Sequence, residues 1–229
     1  MNKKIIIIII SILIVIFIFT KFNKDIISGY ILNKLSKWTE RTVTSESVEI
    51  DYAKGKINFN GLEILNKPNF NDKNIFEAKK LTVEIEFSSL LSDLVKINKF
   101  TLNEPKFFLE IKDMTEKRET TKDNVGLLEK IIEQPPPKIY PPKKKDKNFI
   151  ILNSSIKNSK VFIRYPNSSK ILSVNLSDMS FQNMGNADFK QIKNSHHYKD
   201  VLRLIMGDIY FRIPDMKLRE FLKEKYKIE

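Results

Sequence analysis

The chain has 229 residues, 40 Lys or Arg against 28 Asp or Glu, a formal charge of +12 and 41% apolar residues. That apolar share excludes a wholly disordered chain, and the absence of cysteine excludes disulfides, thiolate nucleophiles and cysteine-based zinc sites. The charge is lysine charge, 34 Lys to 6 Arg beside 33 Ile and 20 Asn, which fits A+T-rich coding or attraction to anionic headgroups better than nucleic-acid readout through arginine forks.

Residues 5–19 are apolar except for Ser11 and follow Lys3 and Lys4. A helix of that length spans about 22 Å, short of the roughly 30 Å hydrocarbon core. Lys4 and Lys21 can snorkel at the two ends and make up much of the difference. The run ends in Phe-Thr-Lys-Phe without a small-x-small cleavage site, so residues 1–22 read as an uncleaved transmembrane anchor rather than a signal peptide. Lysines flank both ends, and the count near the membrane marginally favours keeping the bulk of the chain inside.

Within residues 23–41, Ile27, Tyr30, Ile31, Leu35 and Trp38 recur at helical spacing. The stripe predicts an amphipathic helix, lying on the membrane interface through Tyr30 and Trp38 or packing on the following domain. From Val48 the period changes to two. Val48, Ile50 and Tyr52 alternate with Glu49 and Asp51. Ile57 and Phe59 follow the turn at Lys54-Gly55, and Gly61 marks a bulge. Leu81, Val83, Ile85 and Phe87 alternate with Thr82, Glu84 and Glu86, and Phe107, Leu109 and Ile111 alternate with Phe108, Glu110 and Lys112. Residues 125–133 predict a short helix. Residues 135–148 hold five Pro and five Lys and separate a first β segment, 42–134, from a second, 149–229. In the second, strands are expected at 149–152, around Ile156, at Val161, Ile163 and Tyr165, and at Leu172, Val174 and Leu176. A helical tail with Val201, Leu204, Ile205 and Ile209 is interrupted by Pro214.

The fold class expected is mainly β with flanking helices: a transmembrane helix, then a curved antiparallel sheet and a C-terminal helix. A sheet with one apolar face must meet something there. It either closes on itself or on the tail helix as an ordinary core, or stays open as a trough for acyl chains.

Covalent chemistry finds little material. There is no nucleophile elbow, dinucleotide fingerprint or Walker loop. His196 and His197 are adjacent and point apart, so a metal site on His196 and Asp200 is disfavoured against an exposed helix start. The pairs Glu49/Asp51 and Glu84/Glu86 lie on the wet face. No enzyme, cofactor or metal is expected. The Lys143, Lys144, Lys145, Lys147 run reads as a solvated linker or a contact for anionic headgroups.

Residues 48–111 resemble the amino-terminal part of the AsmA family. The resemblance is carried by a strand hairpin, then GLEILNKPNF (61–70), FEAKKLTVEIEFSSLL (76–91) and VKINKFTLNEPKFFLEI (95–111), while FIILNSSIKNSKVFI (149–163) is similar to the strand unit that follows. It implies a single-pass protein of the bacterial inner membrane with its β body in the periplasm, against the lysine count. It also implies kinship with bridge-like lipid-transfer proteins and a part in outer-membrane lipid homeostasis. Its partners would be phospholipid and the inner membrane. On that reading the apolar face that meets acyl chains is Val48, Ile50, Ile57, Phe59, Leu81, Val83, Ile85, Phe87, Leu109, Val161 and Ile163. The alternative is a membrane-anchored interaction module with a filled core that docks a protein partner in envelope assembly.

Overall fold

The computed structural model describes residues 26–37, 39–112, 147–166, 170–187, 189, 192 and 195–226. The expected anchor 1–22 with Lys4 and Lys21, Trp38, the expected helix 125–133 and nearly all of the Pro/Lys-rich stretch lie outside them. Among the described residues no helix is long and apolar enough to cross a membrane.

Residues 26–37 form helix α1. Four long strands follow, β1 (Val43–Asp51), β2 (Lys56–Leu65), β3 (Asn74–Ile85) and β4 (Leu94–Glu110), with a 3-10 turn, Phe87–Leu91, between β3 and β4. Then come β5 (Asn148–Lys157), β6 (Lys160–Arg164), β7 (Leu172–Asn175), β8 (Met179–Gly185), the short β9 (His196–His197), and helices α2 (Tyr198–Arg212) and α3 (Met216–Tyr226). All strands share one nine-stranded sheet, in the order β1-β2-β3-β4-β5-β8-β9, with β6 on β4 and β7 on β6.

Register simplifies this list. β5 and β6 run parallel to β4 at one constant offset, from Leu94 opposite Asn148 to Glu110 opposite Arg164, so they are one strand interrupted at Asn158-Ser159. β7 and β8 continue each other in the same way, from Leu172 opposite Ile163 to Gly185 opposite Ile150. The two expected β segments therefore build one sheet. That sheet is mixed and not antiparallel throughout: β4 is parallel to β5 and β6, and β8 to β9. Alternation reports which face a side chain takes and not the direction of its neighbour. A parallel pair needs a long connection, and residues 111–147 supply it.

A seam crosses the strands. Gly61 (φ 57°), Glu104 (φ 49°) and Asn158 (φ 54°) all have left-handed backbones. The register on either side places Gly61 level with Lys79, Lys79 with Glu104, and Glu104 with Asn158. A left-handed residue in a strand shifts the alternation of the residues beyond it. Phe59 and Leu62, three apart on β2, consequently join one apolar cluster. Pro105, which lacks an N–H, is accommodated within the 17-residue β4 because it directly follows Glu104, at the irregularity.

Three apolar clusters stabilise the sheet. Val43, Phe59, Leu62, Ala78 and Leu102 pack with Ile31, Leu32 and Leu35 of α1. Leu109, Ile111, Val161, Ile163, Val174 and Leu176 pack with Met206, Ile209, Leu218 and Leu222 of the C-terminal helices and with Ile213 between them. Ile150, Ala187 and Phe189 form a smaller group. α1 packs on the domain through Ile31 and Leu35 while Tyr30 stays exposed, and the tail closes over part of the sheet. Phe87 is not a strand residue, because β3 ends at Ile85 and Phe87 opens the 3-10 turn.

Candidate functional site

The register lines up side chains of one kind across the sheet. One row runs Val48, Phe59, Leu81, Leu102, Ile156 and Met179. Two residues further along the strands, the next runs Ile50, Ile57, Val83, Phe100, Ser154 and Phe181. Its single hydroxyl is tied down, Ser154 Oγ donating to the Phe181 carbonyl at 3.1 Å.

On the opposite face the row between them is polar in every strand: Glu49, Asn58, Thr82, Thr101, Ser155 and Ser180. Thr82 Oγ1 donates to Asn58 Oδ1 at 2.8 Å, and Ser155 Oγ to Thr101 Oγ1 at 3.3 Å. Lys56 pairs with Glu84 at 3.7 Å and Lys96 with Glu86 at 3.8 Å. Glu49 accepts from Asn58 Nδ2 at 3.4 Å and Asn60 Nδ2 at 3.3 Å, so the carboxylates at 49, 84 and 86 are all engaged by neighbouring polar side chains.

The residues expected on the apolar face divide into two groups. Leu109, Val161 and Ile163 are buried beneath α2 and α3 and form closed core, so they cannot line an open trough. Ile50 and Phe59 are also buried, whereas Val48, Ile57, Leu81, Val83 and Ile85 are only half-buried. Phe87 is exposed on its turn, away from the rows. Phe100, Ile156, Met179 and Phe181 also join the rows: Ile156 lies in an expected strand and Phe100 in the block 95–111, neither of them assigned to the acyl-chain face, while Met179 and Phe181 fall in no expected strand. Phe100-Thr101-Leu102-Asn103 does carry the alternation, and Met179-Ser180-Phe181-Gln182 carries it again.

A second feature lies at the Glu110 end of β4. Glu110 is only 2% exposed, and its carboxylate accepts from the Asn71 backbone N–H at 2.8 Å and from Asn71 Nδ2 at 2.9 Å. Arg164, opposite Glu110 in register, pairs with Asp72 at 3.3 Å. Asn71, Glu110 and Arg164, with Ile111, Lys112, Tyr165 and Pro166, border an open pocket of about 410 Å³. The alternation of Glu110 with Leu109 and Ile111 reads as solvated, because nothing local shows that the loop 66–73 folds back over it.

His196 is exposed, while His197 is buried and caps α2, its Nδ1 accepting from the Lys199 N–H at 3.2 Å. Asp200 pairs with Arg203 at 2.5 Å. Among the described residues no group of three or more His, Cys, Asp or Glu is placed to hold a metal ion. The chain matches no family model and no curated protein.

Proposed function

We propose that this chain is an AsmA-like protein that handles lipid at a bacterial inner membrane, its β body in the periplasm, contributing to outer-membrane lipid homeostasis. It acts by shielding acyl chains and not by covalent chemistry. The observation that carries the reading is the pair of rows through Val48 and Ile50, which cross six strands and are apolar except for Ser154, half-buried at Val48, Ile57, Leu81 and Val83, and backed by a wholly polar row. Six strands extend roughly 25–30 Å, room for one acyl chain and too short to join two membranes. A short adaptor or shuttle fits that size.

Burying a 16-carbon chain at about 0.8 kcal/mol per CH₂ gives a gross driving force on the order of 10 kcal/mol. Retention therefore needs no headgroup recognition. The test compares the chain from residue 26 onward with its Val83→Asp variant, both purified without detergent, by mass spectrometry of an organic extract. Lipid in the parent and none in a folded variant supports the trough. Equal lipid in both removes it.

One observation favours the other reading, a membrane-anchored interaction module. α2 and α3 already close over Leu109, Val161 and Ile163, and a sheet filled in that way would leave its edges to dock a protein partner. A parent chain that is folded and free of lipid would select it.

A further inference from the structure

The 3-10 turn Phe87–Leu91 presents apolar side chains to solvent on a backbone held by several internal hydrogen bonds. Leu91 is 94% exposed, with Leu90 at 40% and Phe87 at 36% beside it. The turn is braced from inside. Buried Ser89 donates through its N–H and its hydroxyl to the Glu86 carbonyl, at 2.9 and 2.6 Å, and its hydroxyl accepts from the Lys96 N–H at 2.8 Å. Ser92 donates to the Ser89 carbonyl through N–H and hydroxyl, and Lys147 Nζ donates to the Leu90 carbonyl. Backbone groups satisfied within the protein are what a segment needs before it can enter an apolar medium cheaply.

We infer that Phe87, Leu90 and Leu91 form an insertion knob for a lipid surface. Three side chains offer far less than the roughly 800 Å² per partner of a stable protein interface. They do suffice for shallow insertion into the headgroup–acyl boundary. Lys147 is already bonded to the Leu90 carbonyl and Lys96 is held by Glu86, so both cations beside the turn are engaged by the protein. With Glu86 at 3.8 Å from Lys96, the apolar side chains and not the lysines carry binding. The knob sits at the end of the sheet opposite the β1 start where α1 joins, beside the turn whose Gly55 carbonyl accepts from the Ile85 N–H. The inference stands whether or not the trough holds lipid.

The chain has no cysteine, so one reporter can be placed at will. The full chain is held in nanodiscs with an environment-sensitive fluorophore on Leu91→Cys, or on Lys67→Cys at the other end of the sheet as a control. Vesicles of phosphatidylcholine, or of phosphatidylcholine with phosphatidylglycerol, are then added. A lipid-borne quencher is placed in the vesicles in one arm and in the nanodisc in the other. Quenching at 91 and not at 67, in either arm and to within about threefold in both lipid mixtures, is the expected result. Leu90→Ser with Leu91→Ser, read from a fluorophore on Phe87→Cys, should weaken it at least about tenfold. No quenching at 91 in either arm overturns the knob, as does equal quenching at 67, or quenching unchanged by the serine pair.

Discussion

Asp215 lies in the break that Pro214 opens between α2 and α3, and it starts the second helix. Its Oδ1 accepts from the Leu218 N–H at 2.9 Å and its Oδ2 from the Tyr165 hydroxyl at 3.2 Å. The Leu218 bond above all holds its pKa below the ordinary carboxylate value. A lowered folded-state pKa stabilises the fold above the unfolded value near 4, and the contribution is lost as pH falls through the folded value. Asp215→Ala should therefore cost about 1 kcal/mol at neutral pH, and urea melts of variant and parent should converge in acid. Glycines at the turns differ in the same local way. A Cβ on Gly55 (φ 61°) would meet the Ile85 carbonyl oxygen at 2.1 Å, whereas one on Gly61 (φ 57°) would meet the movable Glu46 side chain at 2.4 Å. Gly61→Ala should cost about 1 kcal/mol and Gly55→Ala clearly more, because a sheet backbone cannot step aside. Gly61 announces its bulge in the sequence. Asn158 gives a weaker signal, since Asn tolerates the left-handed region better than most residues, whereas Glu104 leaves no mark in composition.

At the scale of elements, α2 and α3 close one half of the sheet and leave the rows near β1 to β3 to α1. The buried line on α2 runs through Val201, Ile205 and Ile209 with Met206, and Leu204, three residues after Val201, falls outside it at 62% exposure. The helical period and Pro214 make both helices readable from sequence. Which apolar residue turns outward depends on where the helix crosses the sheet, and that is a tertiary fact. Strand direction is hidden for a related reason: a row of alternating residues is the same string whether its neighbour runs with it or against it. Leu222→Ala removes a buried side chain from the α3 contact and should cost about 2–4 kcal/mol. Hydrogen exchange should localise the loss, faster at β6 and β7 and nearly unchanged at β1 and β2. Uniform acceleration would mean that the two halves unfold as one unit.

For the whole molecule, the seam and the register together decide where an acyl chain can lie. Without the left-handed residues, alternation would turn the residues beyond Gly61 to the polar side, and the rows could not share a face with Leu62 and Val43. The sheet instead keeps one apolar side from the α1 junction to the knob. Neighbours in sequence therefore make opposite predictions. Phe100 stands in the row of Ile57 and Val83, and Thr101 in the polar row between Thr82 and Ser155. Phe100→Asp should abolish lipid retention by putting a charge on the apolar rows, while Thr101→Asp, one residue away, should leave it within about twofold. Circular dichroism and a thermal melt establish that each variant is folded, and extraction with mass spectrometry counts lipid per chain. Two folded variants that lose lipid equally would show that it is held somewhere other than on these rows. Loss in Phe100→Asp alone would tie retention to a face that exists only because six strands are held in this register.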